Sequence, residues 1–125
     1  FKPYPDAGDG ANMIAVERAR QINAEGFDPA RDDKYRHKQL GLAALCYLAF
    51  GIGSKADRSK YEVSGSLTTT GKPLIGFSAF FELWPWDRRW WKPSTPIRDL
   101  TKAGALISAE IDRRLRAGGK VGLDQ

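Results

Sequence analysis

Apolar residues recur at helical spacing in three stretches of this chain, separated by polar stretches rich in glycine, proline or serine. The first runs from Met13 to Glu25, where Met13, Val16 and Ala19, with Ala15 and Ile22 alongside, share one face of a helix. Asn12 is placed to cap its start, and Gly26 follows as a left-handed stop. The second stretch begins near Lys34 or His37 and runs to Phe50, with Leu40, Ala43, Ala44, Tyr47 and Leu48 as its buried stripe. Asp32 or Asp33 can cap it, and Gly51 and Gly53 end it. The third is the clearest. Thr95 is an N-cap with Pro96 in the first turn, and Ile97, Leu100, Gly104, Ile107, Ile111 and Leu115 step by three and four along one face. Ala103, Gly104 and Ala105 are small enough to let a second helix approach closely.

Between the second and third helices the pattern changes. Tyr61-Glu62-Val63 and Leu74-Ile75-Gly76-Phe77 flank Ser64 to Lys72, which fits a short β-hairpin or an irregular loop. Beyond it, Pro85, Pro93 and Pro96 break an aromatic segment that cannot be one continuous helix. The expected fold is mainly α-helical. It is one domain over residues 1–125, with three principal helices, an aromatic loop segment, an extended arm at 1–11 and a flexible tail at 119–125.

Composition narrows the class. A 42% hydrophobic chain of 125 residues can build one core without staples. The single cysteine, Cys46, lies in an apolar run that reads as buried helix, which favours a cytoplasmic address. The N-terminal residues lack the apolar stretch of a signal peptide, and the longest apolar run, Leu42 to Ile52, falls short of the roughly 20 residues of a membrane span. The formal charge of +5 favours anionic partners, although the basic residues are spread along the chain.

Two constellations carry candidate chemistry. Trp84, Trp86, Trp90 and Trp91 are interleaved with Arg88, Arg89 and Lys92. Indole faces can hold bases while cations neutralise phosphates, so the segment is a candidate binding surface for a ligand or partner. The same indoles also suit the core of a small domain, because each buries a large apolar area. The second constellation is acidic: Glu17, Asp28, Asp32 and Asp33, with the lone His37, could hold a divalent cation. Capping and ion pairing with Arg18, Arg20 or Arg36 account for the same carboxylates. No phosphate-binding glycine loop, zinc spacing or nucleophile motif is present, and a buried Cys46 would stay protonated.

Several blocks are similar to those of a group of small bacteriophage and prophage proteins that carry no assigned function. They are Glu17-Arg18-Ala19-Arg20-Gln21 with Glu25-Gly26, Asp32-Asp33, Ala43-Ala44-Leu45-Cys46-Tyr47, Trp84-Pro85-Trp86 with Trp90-Trp91-Lys92-Pro93, and Lys102-Ala103-Gly104-Ala105-Leu106-Ile107 with Ala109-Glu110-Ile111. That group often has His before the Asp pair, where this chain has Arg31, a departure that weakens a metal-site reading. The resemblance implies a phage or prophage gene expressed in the host cytoplasm. It implies no reaction.

The expectation is therefore a non-enzymatic phage accessory protein, without cofactor or resident metal. It would bind a host or phage protein, or sequester an anionic nucleotide-type small molecule, and in doing so inhibit a host defence process. A metal-dependent nucleotide hydrolase and a single-stranded nucleic-acid binder are the alternatives. Partnership with a membrane is not expected, and a homodimer is compatible with the chain.

Overall fold

The computed structural model describes residues 5–26, 29–35, 38–55, 58 and 84–120, except for the side chain of Arg88. Among the described residues the protein is mainly α-helical, with three principal helices. A 3₁₀ turn, Pro5–Ala7, leads into α1, Gly8–Glu25. A single helical turn, α2, covers Pro29–Asp32, and α3 spans Gln39–Gly51. After a second 3₁₀ turn at Arg88–Trp90, the chain enters α4, Pro96–Arg116. The expected hairpin strands at 61–63 and 74–77, and the tail beyond 120, lie outside the described residues.

The α4 helix organises the rest, packing chiefly on α3 and then on α1. Its start follows the local chemistry: the Thr95 hydroxyl accepts the Arg98 N–H at 3.2 Å, with Pro96 in the first turn. The core joins Leu40, Ala43, Ala44 and Tyr47 of α3 to Ala103, Leu106 and Ala109 of α4, and half-buried Tyr35, Trp84, Trp86 and Trp91 pack against it. Gly104 marks the crossing of α1, since a Cβ built there would lie 2.4 Å from Ile14 Cδ1. The run of small residues thus admits a close neighbour, as its composition predicts.

The structure differs from the sequence pattern in four places. Residues 5–11 of the expected extended arm are helical. Helix α1 begins at Gly8, and Asn12 is buried inside it, with Nδ2 donating to the Gly8 carbonyl at 2.7 Å instead of capping. A side chain that bonds back to the preceding turn is compatible with a helix interior. Helix α3 starts only at Gln39, after Lys38 with a left-handed φ of 74°. Neither Asp32 nor Asp33 caps it, because their carboxylates bond to Arg18 and Arg116. Leu48 is exposed rather than part of the α3 stripe.

The fourth difference is the largest. On α1, Met13 and Val16 face solvent while Asn12, Glu17, Arg18 and Gln21 are buried. On α4, Ile97, Leu100, Ile107, Ile111 and Leu115 are exposed, and the buried face is Asp99, Thr101, Ala103, Ala105, Leu106 and Ala109. Small side chains let the backbones come together, and buried charges are tolerated because they are paired. Arg18 bonds Asp32 at 2.9 Å. Arg58 donates to Asp99 at 2.9 Å and to the Phe50 carbonyl at 2.7 Å, while Asp99 also accepts the Ser94 N–H at 2.7 Å. That last network ties the end of the aromatic segment to α3 and α4.

Candidate functional site

A cavity of about 740 Å³ opens between α1, the α2 turn, α3, α4 and the aromatic segment. Its size is within the range of small-molecule sites, roughly 300–1,000 Å³. The aromatic segment forms one wall because four rings dock in series. Trp86 packs on Tyr35 at 5.2 Å, Trp84 meets Trp86 edge-on at 5.5 Å, and Tyr47 meets Trp84 at 5.7 Å. Trp91 stacks on Tyr47 at 4.6 Å and meets Phe50 at 5.5 Å, so it braces the wall from the core side and does not line the cavity.

Trp90 behaves differently from the other three indoles. It lines the cavity yet is 54% exposed, more than any of them. The Arg89 guanidinium and the Lys92 ammonium lie 5.3 and 5.6 Å from its ring centroid, in the range of cation–π attraction. Arg31 plays the same part deeper in, 5.0 Å from the Tyr35 ring and 5.7 Å from Trp86.

Helices α1 and α4 supply the polar wall. Glu17, only 1% exposed, accepts from Arg20 Nε and Nη2 at 2.7 and 2.9 Å, from Arg98 Nη2 at 2.6 Å and from Gln21 Nε2 at 3.2 Å. Burial pushes its carboxyl up, but the hydrogen bonds from Arg20 and Arg98 outweigh that and hold it below its ordinary value. Lys102, one turn beyond Arg98, donates to the Lys92 carbonyl at 2.6 Å, and burial holds its ammonium below the ordinary lysine range. The Tyr47 hydroxyl accepts the Lys92 N–H at 3.1 Å, and burial pushes its pKa up to about 12, so it stays protonated.

The lining is both aromatic and basic. Among the described lining residues five basic side chains (Arg20, Arg31, Lys92, Arg98, Lys102) face three acidic ones (Glu17, Glu25, Asp87), an excess of two positive charges. Aromatic faces beside an excess of cations suit a flat ring that carries negative charge.

Of the residues singled out from sequence, Trp84, Trp86, Trp90 and Lys92 line this cavity. Arg89 sits beside it through Trp90, and Trp91 belongs to the packing. Nothing is described of the Arg88 side chain. The acidic candidates do not converge: Glu17 is in the cavity wall, Asp32 is buried against Arg18, and Asp33 bonds Arg116 at 2.8 Å. Asp28 and His37 lie outside the described residues. Among the described residues no three His, Cys, Asp or Glu side chains gather as a metal site. Burial pushes the Cys46 thiol up to about 12, which makes it a poor nucleophile near neutrality.

Sequence reasoning passed over Arg20, Gln21, Tyr35, Arg98 and Lys102 as site residues. A signal was present. Glu17 with Arg20 and Gln21, and Arg98 with Lys102, are spaced three or four apart and share helix faces. Those faces carry few apolar residues, so they read as solvated. Searches of family models, curated proteins and solved structures return no match to this chain.

Proposed function

We propose that this protein binds an anionic, ring-bearing small molecule of nucleotide type in the cavity between α1, α4 and the aromatic segment, and acts by holding it. The observation that carries the proposal is Trp90. An indole left largely exposed at the rim of a 740 Å³ cavity, with cations at its face, is placed to stack on a ligand ring rather than to pack the core. The basic excess of the lining supports negative charge on that ligand.

Holding rather than converting is favoured by how the charged groups are used. Glu17, Asp32 and Asp33 are each paired with arginine, so a metal-dependent hydrolase gains no support from them. The resemblance of the sequence blocks to phage and prophage proteins supports reading this protein as an accessory protein acting in the host cytoplasm. Sequestration of a host signalling nucleotide would then inhibit a defence process. Among the described residues no helix is long and apolar enough to cross a membrane.

The protein should carry its ligand when purified gently from host cells. Native mass spectrometry should show an added mass of nucleotide size that denaturation releases. A ligand-free spectrum after expression in several hosts, together with no uptake from a nucleotide panel, would defeat the proposal. So would turnover of those nucleotides in the presence of Mg²⁺.

A second reading has one observation in its favour. The exposed Trp90, flanked by Arg89 and Lys92, also resembles a platform for single-stranded nucleic acid. That reading predicts affinity for oligonucleotides falling steeply with salt, whereas mononucleotide binding in a cavity is far less salt-sensitive.

A further inference from the structure

The cations around the cavity are not equivalent. Arg20 is committed to carboxylates, bonding Glu17 through Nε and Nη2 and Glu25 through Nη1 at 2.9 Å. Arg98 and Lys102 are four residues apart on α4 and so lie one above the other on a single face. Among the described residues Arg98 is held by Glu17, and Lys102 by the Lys92 carbonyl and by the Tyr47 ring, whose centroid lies 5.5 Å from its ammonium. A guanidinium has five N–H donors and an ammonium three, so most donors of both groups remain to serve a ligand.

Two further groups at the cavity lack partners among the described residues. Gln21 is 3% exposed, and while its Nε2 donates to Glu17, its Oε1 accepts no hydrogen bond. The Trp86 indole N–H likewise donates to nothing. Both residues line the cavity. A buried acceptor and a buried donor beside two underused cations call for a ligand with hydroxyl or amino hydrogens, lone pairs and a compact anion.

We infer that Arg98 and Lys102 form a subsite for the dianionic phosphate monoester of a mononucleotide, with its ring toward Trp86 and Trp90 and its sugar or base donating to Gln21 Oε1. Among the described lining residues the excess of two positive charges matches a monoester dianion and exceeds what a singly charged cyclic diester offers. The inference rests on the nucleotide-binding proposal and makes it specific.

Calorimetric titration of the whole protein tests it with three probe classes: nucleoside 5′-monophosphates, the corresponding 3′,5′-cyclic monophosphates, and nucleosides. Monophosphates should bind about tenfold or more tighter than either of the others. Lys102→Gln should remove most of that margin and leave nucleoside affinity unchanged, while Lys102→Arg keeps it. If Lys102→Gln does not fold, Arg98→Gln makes the same comparison, since it too removes one positive charge from the pair. Equal affinity for monoesters and cyclic diesters, both still dependent on Trp90, would overturn the subsite and leave the cavity proposal standing. Equal loss across all three classes in a folded variant would also overturn it. Absence of binding by every probe would remove both.

Discussion

Glu17 holds Arg20 and Arg98 at hydrogen-bond distance from a nearly inaccessible position, so its charge is part of what joins α1 to α4. Its folded carboxyl lies below the ordinary 4.5, burial being outweighed by the two guanidinium bonds, and Glu110 is lowered too, where bonds from Arg113 and interaction with Arg114 outweigh burial. A lowered carboxyl contributes stability that is present above its unfolded value and is lost as pH falls through the folded one. Asp32 has the opposite sign: burial outweighs Arg18, its carboxyl is raised, and the folded state gains from its protonation as pH falls. For Glu17, the linkage predicts a contribution to the melting temperature that is level near neutrality and declines below about pH 4.5. Glu17→Gln should cost about 1–2 kcal/mol near neutrality, since the arginines it leaves behind are more than a third exposed, and should flatten the acid decline. Thermal melts across pH for both proteins check this; an acid limb equally steep in the variant would assign the decline elsewhere.

The adjacent Trp90 and Trp91 separate binding from packing at the same scale. Trp91 touches Tyr47, Phe50 and Trp84, so Trp91→Ala should destabilise by about 3 kcal/mol in denaturant melts. Trp90→Ala, at an exposed ring, should shift stability by less than about 1 kcal/mol. From sequence the two are indistinguishable neighbours. What divides them is that Trp91, one residue past the 3₁₀ turn at Arg88–Trp90, packs on Tyr47 and Phe50 of α3, and no local pattern encodes that.

At the scale of elements, legibility followed the chemistry of the chain. The Thr95 cap, the Pro96 first turn and the Gly26 stop were readable because each satisfies backbone groups within a few residues. The buried faces of α1 and α4 were not, because they are polar or small and the apolar stripes point outward. Periodicity finds an apolar face but does not say whether the partner helix meets it. Pairing of Glu17 with Arg98 and of Arg18 with Asp32 joins residues 81 and 14 positions apart. The crossing of α1 over α4 gives a direct check. Gly104→Ala would place a methyl 2.4 Å from Ile14 Cδ1 and 2.6 Å from Cγ1, so overpacking should cost about 1–3 kcal/mol. Adding Ile14→Ala should recover part of that loss in denaturant melts. Additive losses would place the crossing elsewhere.

At the scale of the whole molecule, the helices matter less for their own sake than for the space they leave. The α3–α4 core fixes the aromatic wall, the Arg58–Asp99 network anchors the end of the aromatic segment, and the Glu17 cluster closes the far side. A basic sequence with four clustered tryptophans pointed to an anionic partner. Only the folded arrangement brings Arg98 and Lys102, distant from Tyr35 and Gln21 in sequence, around one cavity with Trp90 at its rim. The most direct test of that account is a calorimetric titration of the intact protein and of Trp90→Ala with a panel of nucleotides at moderate salt. The account predicts saturable one-to-one binding of at least one anionic nucleotide, weakened about tenfold or more in a variant that melts at the same temperature. Failure of every nucleotide to bind, or binding indifferent to Trp90, would contradict it.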